Sequence, residues 1–281
     1  MPPDPPLPRI ELISEIQKAI SALLTTHEPE FLRIGYTLFL SFATILIVWH
    51  GIKMMLTTEP LGDHLFGFAK LLMFISFGYA MIAYYESPLP GIGVSVSNLI
   101  TDQAHDLAHI LDAHSVEQTY EHLDELWRHF IQPDAWAIFA NLLYWVLLIA
   151  VCIAKIVSFG VVAFGLIATA VCGLLGPLFV PFFIVPKLDW LFWSWFKAFV
   201  QYAFIQVVTY AFFMIFERFM YAYLTTLPYG IDERDYTVYG TQAVVVLGAF
   251  MLSVFMIPSL TSSIFSGRGG ESVLPDRIVR F

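Results

Sequence analysis

Polar residues punctuate long apolar runs in this chain. Uncharged runs extend over Ile34–Ile52, Ala135–Ala154, Ile156–Pro186, Ala198–Phe216 and Tyr236–Gly267, and another segment, Leu65–Tyr85, is apolar apart from Lys70. A helix crosses roughly 30 Å of hydrocarbon with about 20 apolar residues. So many such stretches leave too little chain for a soluble domain able to hide them. The pattern predicts an all-α integral membrane protein with five to six transmembrane helices and one small helical extramembrane loop.

Five regions follow. Residues 1–30 comprise a proline-rich lead and an amphipathic helix, in which Ile10, Ile13, Ile16, Ile20, Leu23 and Leu24 recur at helical spacing before Pro29. That helix suits the membrane interface or a docked position on the bundle equally well. Residues 31–85 hold the first two spans, joined by a short turn at Thr57–Asp63. Residues 86–134 form the polar loop, where Leu99, Leu107, Ile110, Leu111, Leu123, Leu126, Trp127 and Phe130 make apolar helical faces, with a break expected near Ala113–Ser115. Residues 135–266 are the C-terminal bundle, and 267–281 a short basic tail with Arg268, Arg277 and Arg280. No basic stretch followed by an apolar block opens the chain, so insertion is expected to rely on the first span.

Ala135–Pro186 is interrupted only by Lys155. As one helix it would be on the order of 78 Å long, far beyond a bilayer. It is therefore expected to make two passes, or one pass plus a re-entrant piece, with Lys155 in the connecting loop and the helix broken at Gly176-Pro177. Gly173, Gly176, Pro177 and Pro181 mark that unusual backbone, which survives at membrane depth only when buried in protein or facing water. Trp190, Trp193 and Trp195 cluster beside Lys187, Asp189 and Lys197 as an interface anchor. The next span is expected to end at Glu217-Arg218. A tyrosine-rich loop and a final span containing Pro258 follow.

Composition sharpens this reading. The chain is 58% hydrophobic and 13% charged, against about 25% charged residues in soluble domains. Net charge is −9. Most of that imbalance lies between Glu86 and Asp134, where Arg128 is the one basic residue among nine acids. No basic footprint for sequence-specific nucleic-acid binding is present. Cys152 and Cys172 lie inside apolar segments, where cysteine acts as a small hydrophobe.

Candidate chemistry is sparse. Asp102, His105, Asp106, His109 and Asp112 share one helical face, and imidazole with carboxylate at that spacing suits a divalent ion. The same spacing arises from the solvated side of an amphipathic helix, which is the reading adopted, with no metal and no cofactor assigned. Lys70 and Lys197 lie close enough to span ends to snorkel. A proton or ion relay needs a mid-membrane carboxylate, and none of the 23 acids is so placed. Gly165, Thr169 and Gly173, with Ala168, Cys172 and Gly176 beside them, form a small-residue strip that lets helices approach closely, within one chain or between subunits. No phosphate-binding loop or nucleophile triad occurs, and the chain reads as non-enzymatic.

The stretch from Gly173 to Pro186 (GLLGPLFVPFFIVP), followed by Trp190, Trp193, Trp195, Phe196 and Lys197, resembles the TrbL-type polytopic inner-membrane subunit of conjugation and type IV secretion machines. The loop between the second and third spans and the end of the last span, Met256–Ile264 with Gly267, are also similar. The likeness covers most of Phe31–Gly267. It implies a non-catalytic, homo-oligomeric component of the bacterial inner membrane. Its implied partners are lipid, other secretion subunits, separate ATPases, and the DNA or protein in transit. Gly165, Thr169, Gly173, Gly176, Pro177, Pro181, Trp190, Trp193, Trp195, Lys197 and Pro258 would then serve structure or the oligomer interface. The alternative is a small channel or transporter for a solute.

The resemblance also suggests an outside N-terminus. With six full spans, nine of the 14 Lys and Arg would then lie outside, against the positive-inside rule. Five spans plus a re-entrant segment place eight inside and six outside, and this is the topology expected.

Overall fold

A computed structural model describes residues 12–57, 60–110, 115–232 and 234–265. Among these residues there are seven α-helices: α1 Leu12–Leu56, α2 Leu61–Ala83, α3 Val96–Ile110, α4 Ser115–Arg128, α5 Ile138–Phe179, α6 Asp189–Thr226 and α7 Thr241–Phe265. A 3₁₀ turn, Val180–Ile184, follows α5, and a π turn, Tyr236–Gly240, precedes α7. Among the described residues there is no strand, only an isolated bridge between Phe130 and Ile231. Five of the helical segments are long and apolar enough to cross a membrane. The all-α membrane architecture is as the apolar runs predict.

Four expectations need correction. First, Pro29 does not end a helix: α1 runs unbroken for 45 residues. Proline removes the N–H that would reach the Thr25 carbonyl, but Thr25 is exposed, so water can take that carbonyl. Second, Lys155 is not in a loop. It lies inside the 42-residue α5 and forms an ion pair with Asp124 of α4, which gives a charge within an apolar helix its counter-ion. Third, α5 passes through Gly176-Pro177 and ends at Phe179; the break is the 3₁₀ turn beginning at Val180, with Pro181 in its first turn. In addition, α6 continues past Glu217-Arg218 to Thr226. Met220 and Leu224 are buried there, and this burial carries the helix onward. The break expected near Ala113–Ser115 falls between α3 and α4, on residues mostly outside the described set, as does the tail 267–281.

Two compact units make up the chain: Met1–Asp102 with Leu166–Val200, and Gln103–Gly165 with Gln201–Phe281. The first has a core of Phe39, Ala43, Ile82, Tyr85, Val180, Ile184, Phe192, Trp195 and Phe199. Its α2 ends in a Pro-Leu-Pro-Gly loop whose Gly91 and Gly93 adopt φ of 88° and 79°, backbone that favours glycine. Ser95 then caps α3, its hydroxyl accepting the Asn98 N–H at 3.2 Å.

In the second unit α4 buries Leu123 and Leu126, and Trp127 packs on Tyr144 at 4.5 Å between ring centres. Phe216 stacks on Phe250 at 3.9 Å, joining α6 to α7. The α4–α5 connection is fastened to the α6–α7 connection: Ile231 N–H donates to the His129 carbonyl at 2.9 Å, and the Tyr236 hydroxyl donates to the Ile131 carbonyl.

Candidate functional site

The most constrained part of the first unit is the end of α5. Proline at 177 leaves the Gly173 carbonyl without its helical N–H donor, and proline at 181 does the same to the Pro177 carbonyl. A buried, unpaired carbonyl costs about 1–3 kcal/mol, so each needs a partner from elsewhere. The Tyr85 hydroxyl donates to the Gly173 carbonyl at 2.5 Å. Beside it, the Trp195 indole N–H donates to the Cys172 carbonyl at 2.8 Å. At the Pro177 carbonyl α1 comes close: a Cβ on Gly35 would overlap that carbonyl oxygen. Only glycine lets the two backbones approach so closely.

Gly176 has a matching role. A Cβ there would overlap the Tyr85 hydroxyl, so the glycine opens the path by which tyrosine reaches Gly173. Tyr85 is itself held from behind: Ser97 donates its N–H to the Tyr85 carbonyl at 3.0 Å and its hydroxyl at 2.8 Å. The 3₁₀ turn then seats its rings against α1 and α2. Phe182 lies 5.5 Å from Phe42, and Phe183 lies 5.7 Å from Phe74 and 5.5 Å from Phe77. At Gly78 an added Cβ would come within 2.9 Å of Ile184 and Phe39.

The residues singled out from sequence divide by position. Gly173, Gly176, Pro177, Pro181 and Trp195 belong to this one cluster; Gly176, Pro177 and Pro181 are buried, and Trp195 is 7% exposed. Thr169 is buried one turn earlier on α5. Gly165, in the second unit, packs on Ile205 and Gln206 of α6. The small-residue strip thus makes contacts within the chain. Trp190 and Trp193 are 58% and 52% exposed, and Lys197 is exposed. Pro258 is half-buried within α7, remote in sequence from the cluster.

Gly35, Gly78 and Tyr85 are the members that sequence reasoning missed. The signal for Tyr85 was the bond count: Pro177 frees the Gly173 carbonyl, which calls for an outside donor.

Elsewhere chemistry is thin. Among the described residues no group of three His, Cys, Asp or Glu converges as metal ligands. Asp102 and Asp106 are exposed; Asp112 and the side chains of His105 and His109 lie outside the described set. Cys152 and Cys172 are both free. Outside the spans, burial raises the Glu86 carboxyl above its ordinary range, and a hydrogen bond with Glu28 offsets part of that rise.

These elements define a polytopic all-α membrane protein in which α5 ends in a closely packed, proline-containing 3₁₀ turn. No curated protein matches the chain. A family model described as TrbL/VirB6 plasmid conjugal transfer protein matches residues 43–258. The chain belongs to that family, and is a membrane component of conjugal transfer and type IV secretion machinery.

Proposed function

We propose that this chain is a non-catalytic subunit of the bacterial inner membrane that oligomerises and scaffolds the translocation path or pilus base of a type IV secretion apparatus. Separate ATPases supply the energy, and DNA or protein is the cargo. The observation that carries this reading is the family match over residues 43–258, which contains the proline-broken end of α5 whole.

Helix length supports it. At 42 and 38 residues, α5 and α6 are about 63 and 57 Å long, roughly twice the hydrocarbon thickness. Near its start α5 exposes Ile138 (82%), Phe139 (57%), Leu142 (60%), Trp145 (53%) and Ile149 (54%). A helix that long and that apolar carries more surface than a bilayer covers, and neighbouring subunits would cover the remainder.

The test is transfer frequency from a donor whose copy of the gene is deleted. The wild-type chain should restore transfer, while Gly35→Leu, which drives a side chain into the Pro177 carbonyl, should not. Unchanged transfer in the deletion strain would refute the proposal.

A further inference from the structure

In the first unit the connection between α5 and α6 lies at an unexpected depth. The uncharged run of α1, Ile34–Ile52, is bracketed by Arg33 and Lys53, and its middle is Phe42–Ala43. The middle of α2, Leu61–Ala83, is Leu72. Phe182 packs on Phe42, and Phe183 on Phe74 and Phe77. On the far side of the turn Trp193 returns to Phe183 at 6.2 Å. Both limbs of the connection are therefore seated at mid-span.

The turn between them is compact. Val185 N–H bonds the Phe182 carbonyl at 3.2 Å, and Leu188 N–H bonds the Val185 carbonyl at 3.1 Å. Taking about 2 Å per residue over these two hydrogen-bonded turns, Lys187 lies on the order of 8 Å beyond Phe183. From Phe42 to Lys53, α1 climbs about 16 Å. The tip therefore stops on the order of 8 Å short of the end of the span.

What occupies this tip does not suit lipid. Pro186, Lys187, Leu188, Asp189 and Trp190 are all exposed, and two of them are charged. Lysine can snorkel toward a surface, whereas the short aspartate cannot. Lys187 also holds a φ of 74°, a left-handed conformation that non-glycine residues adopt at a cost of about 1–2 kcal/mol and keep mainly at functional positions. Trp190 and Trp193 are amphipathic rings that favour a wet–dry boundary; both are exposed, and Trp193 contacts Phe183 at mid-span.

We propose that the Pro186–Trp190 turn stands in a water-filled indentation that enters the membrane from the side of the α1–α2 turn, with Lys187 and Asp189 as its charged wall. The direction follows from the chain: from Pro177, beside Gly35, it advances to Phe182, beside Phe42, and so runs toward Leu56. The ligands are water and hydrated ions. The inference rests on α1 and α2 being spans and not on the oligomeric reading above.

The experiment uses the full chain in native membranes with Cys152→Ala and Cys172→Ala. Two cysteine pairs, Phe42→Cys with Phe182→Cys and Phe74→Cys with Phe183→Cys, are bridged by a short bis-methanethiosulfonate linker to fix the depth. Lys187→Cys and Asp189→Cys are then exposed to a membrane-impermeant thiol reagent from each side, with Thr57→Cys as the wet reference and the lipid-facing Ile45→Cys as the dry one. The expected result is bridging of both pairs, and labelling of positions 187 and 189 at rates comparable to Thr57→Cys and from the same side. Failure of both bridges would remove the half-depth seat. Bridging without labelling would show a tip packed in lipid or protein, and labelling only from the opposite side would reverse the opening; each overturns the proposal.

Discussion

Tyr85 and Gly176 act as one device, because the glycine is needed only while the hydroxyl passes over it. Tyr85→Phe keeps the ring and removes the donor to Gly173. It should cost about 1–3 kcal/mol of stability in detergent, the range for a buried carbonyl left unpaired. Gly176→Ala should be destabilising alone yet nearly harmless with Tyr85→Ala, since the overlap it creates is with the tyrosine hydroxyl; a double-mutant cycle on thermal unfolding reads this non-additivity directly. Gly35→Ala should also destabilise, for its clash is with backbone that cannot rotate away. Gly160, also helical, has nothing within 4 Å of an added Cβ, so Gly160→Ala should be neutral or stabilising by up to about 1 kcal/mol. At this scale the chain itself revealed half of the cluster. Pro177 and Pro181 announce the freed carbonyls, but Tyr85 is 88 residues from Gly173 in sequence, and local pattern holds no information about which donor will arrive.

Among the elements, α5 owes its unbroken length to outside partners. Lys155 sits in its apolar interior and pairs with Asp124, so a residue that looks like a loop in sequence is a tether for α4. Reversing either charge should lower thermal stability, and the exchange Lys155→Asp with Asp124→Lys should recover part of the loss. Both side chains are partly exposed, so a coupling of about 0.2–1 kcal/mol is expected from the cycle. Pro29 and Pro177 misled in the same way: proline predicts a helix end when its missing bond has no remedy, and here solvent at Thr25 and Tyr85 at Gly173 supply one. The end of α2 carries a pH dependence. Burial raises Glu86, so the folded state holds its proton more tightly than the unfolded chain does. That contribution is present at low pH and is lost as pH rises through the folded value. Glu86→Gln, which needs no proton, should gain thermal stability relative to wild type as pH increases; a difference independent of pH would contradict this.

For the molecule as a whole, hydropathy was sufficient to establish class. Apolar runs of spanning length, the charge deficit and the acidic 86–134 loop all pointed to a polytopic helical protein, and the five long apolar helices fall within the five to six expected, with most of 135–154 and of 156–186 joined in one helix. The path of the chain through those spans was less legible, because length and hydropathy do not distinguish a long helix from two short ones with a charged joint. Function was legible only through the Gly-Pro-rich stretch and its tryptophans, which carry little chemistry of their own and gain meaning from the family match over residues 43–258. The scaffold reading is tested most directly by native mass spectrometry of the detergent-extracted protein together with whatever co-purifies. The account predicts a defined homo-oligomer, co-purifying with other secretion subunits. A monomer or dimer that retains none of them would contradict it.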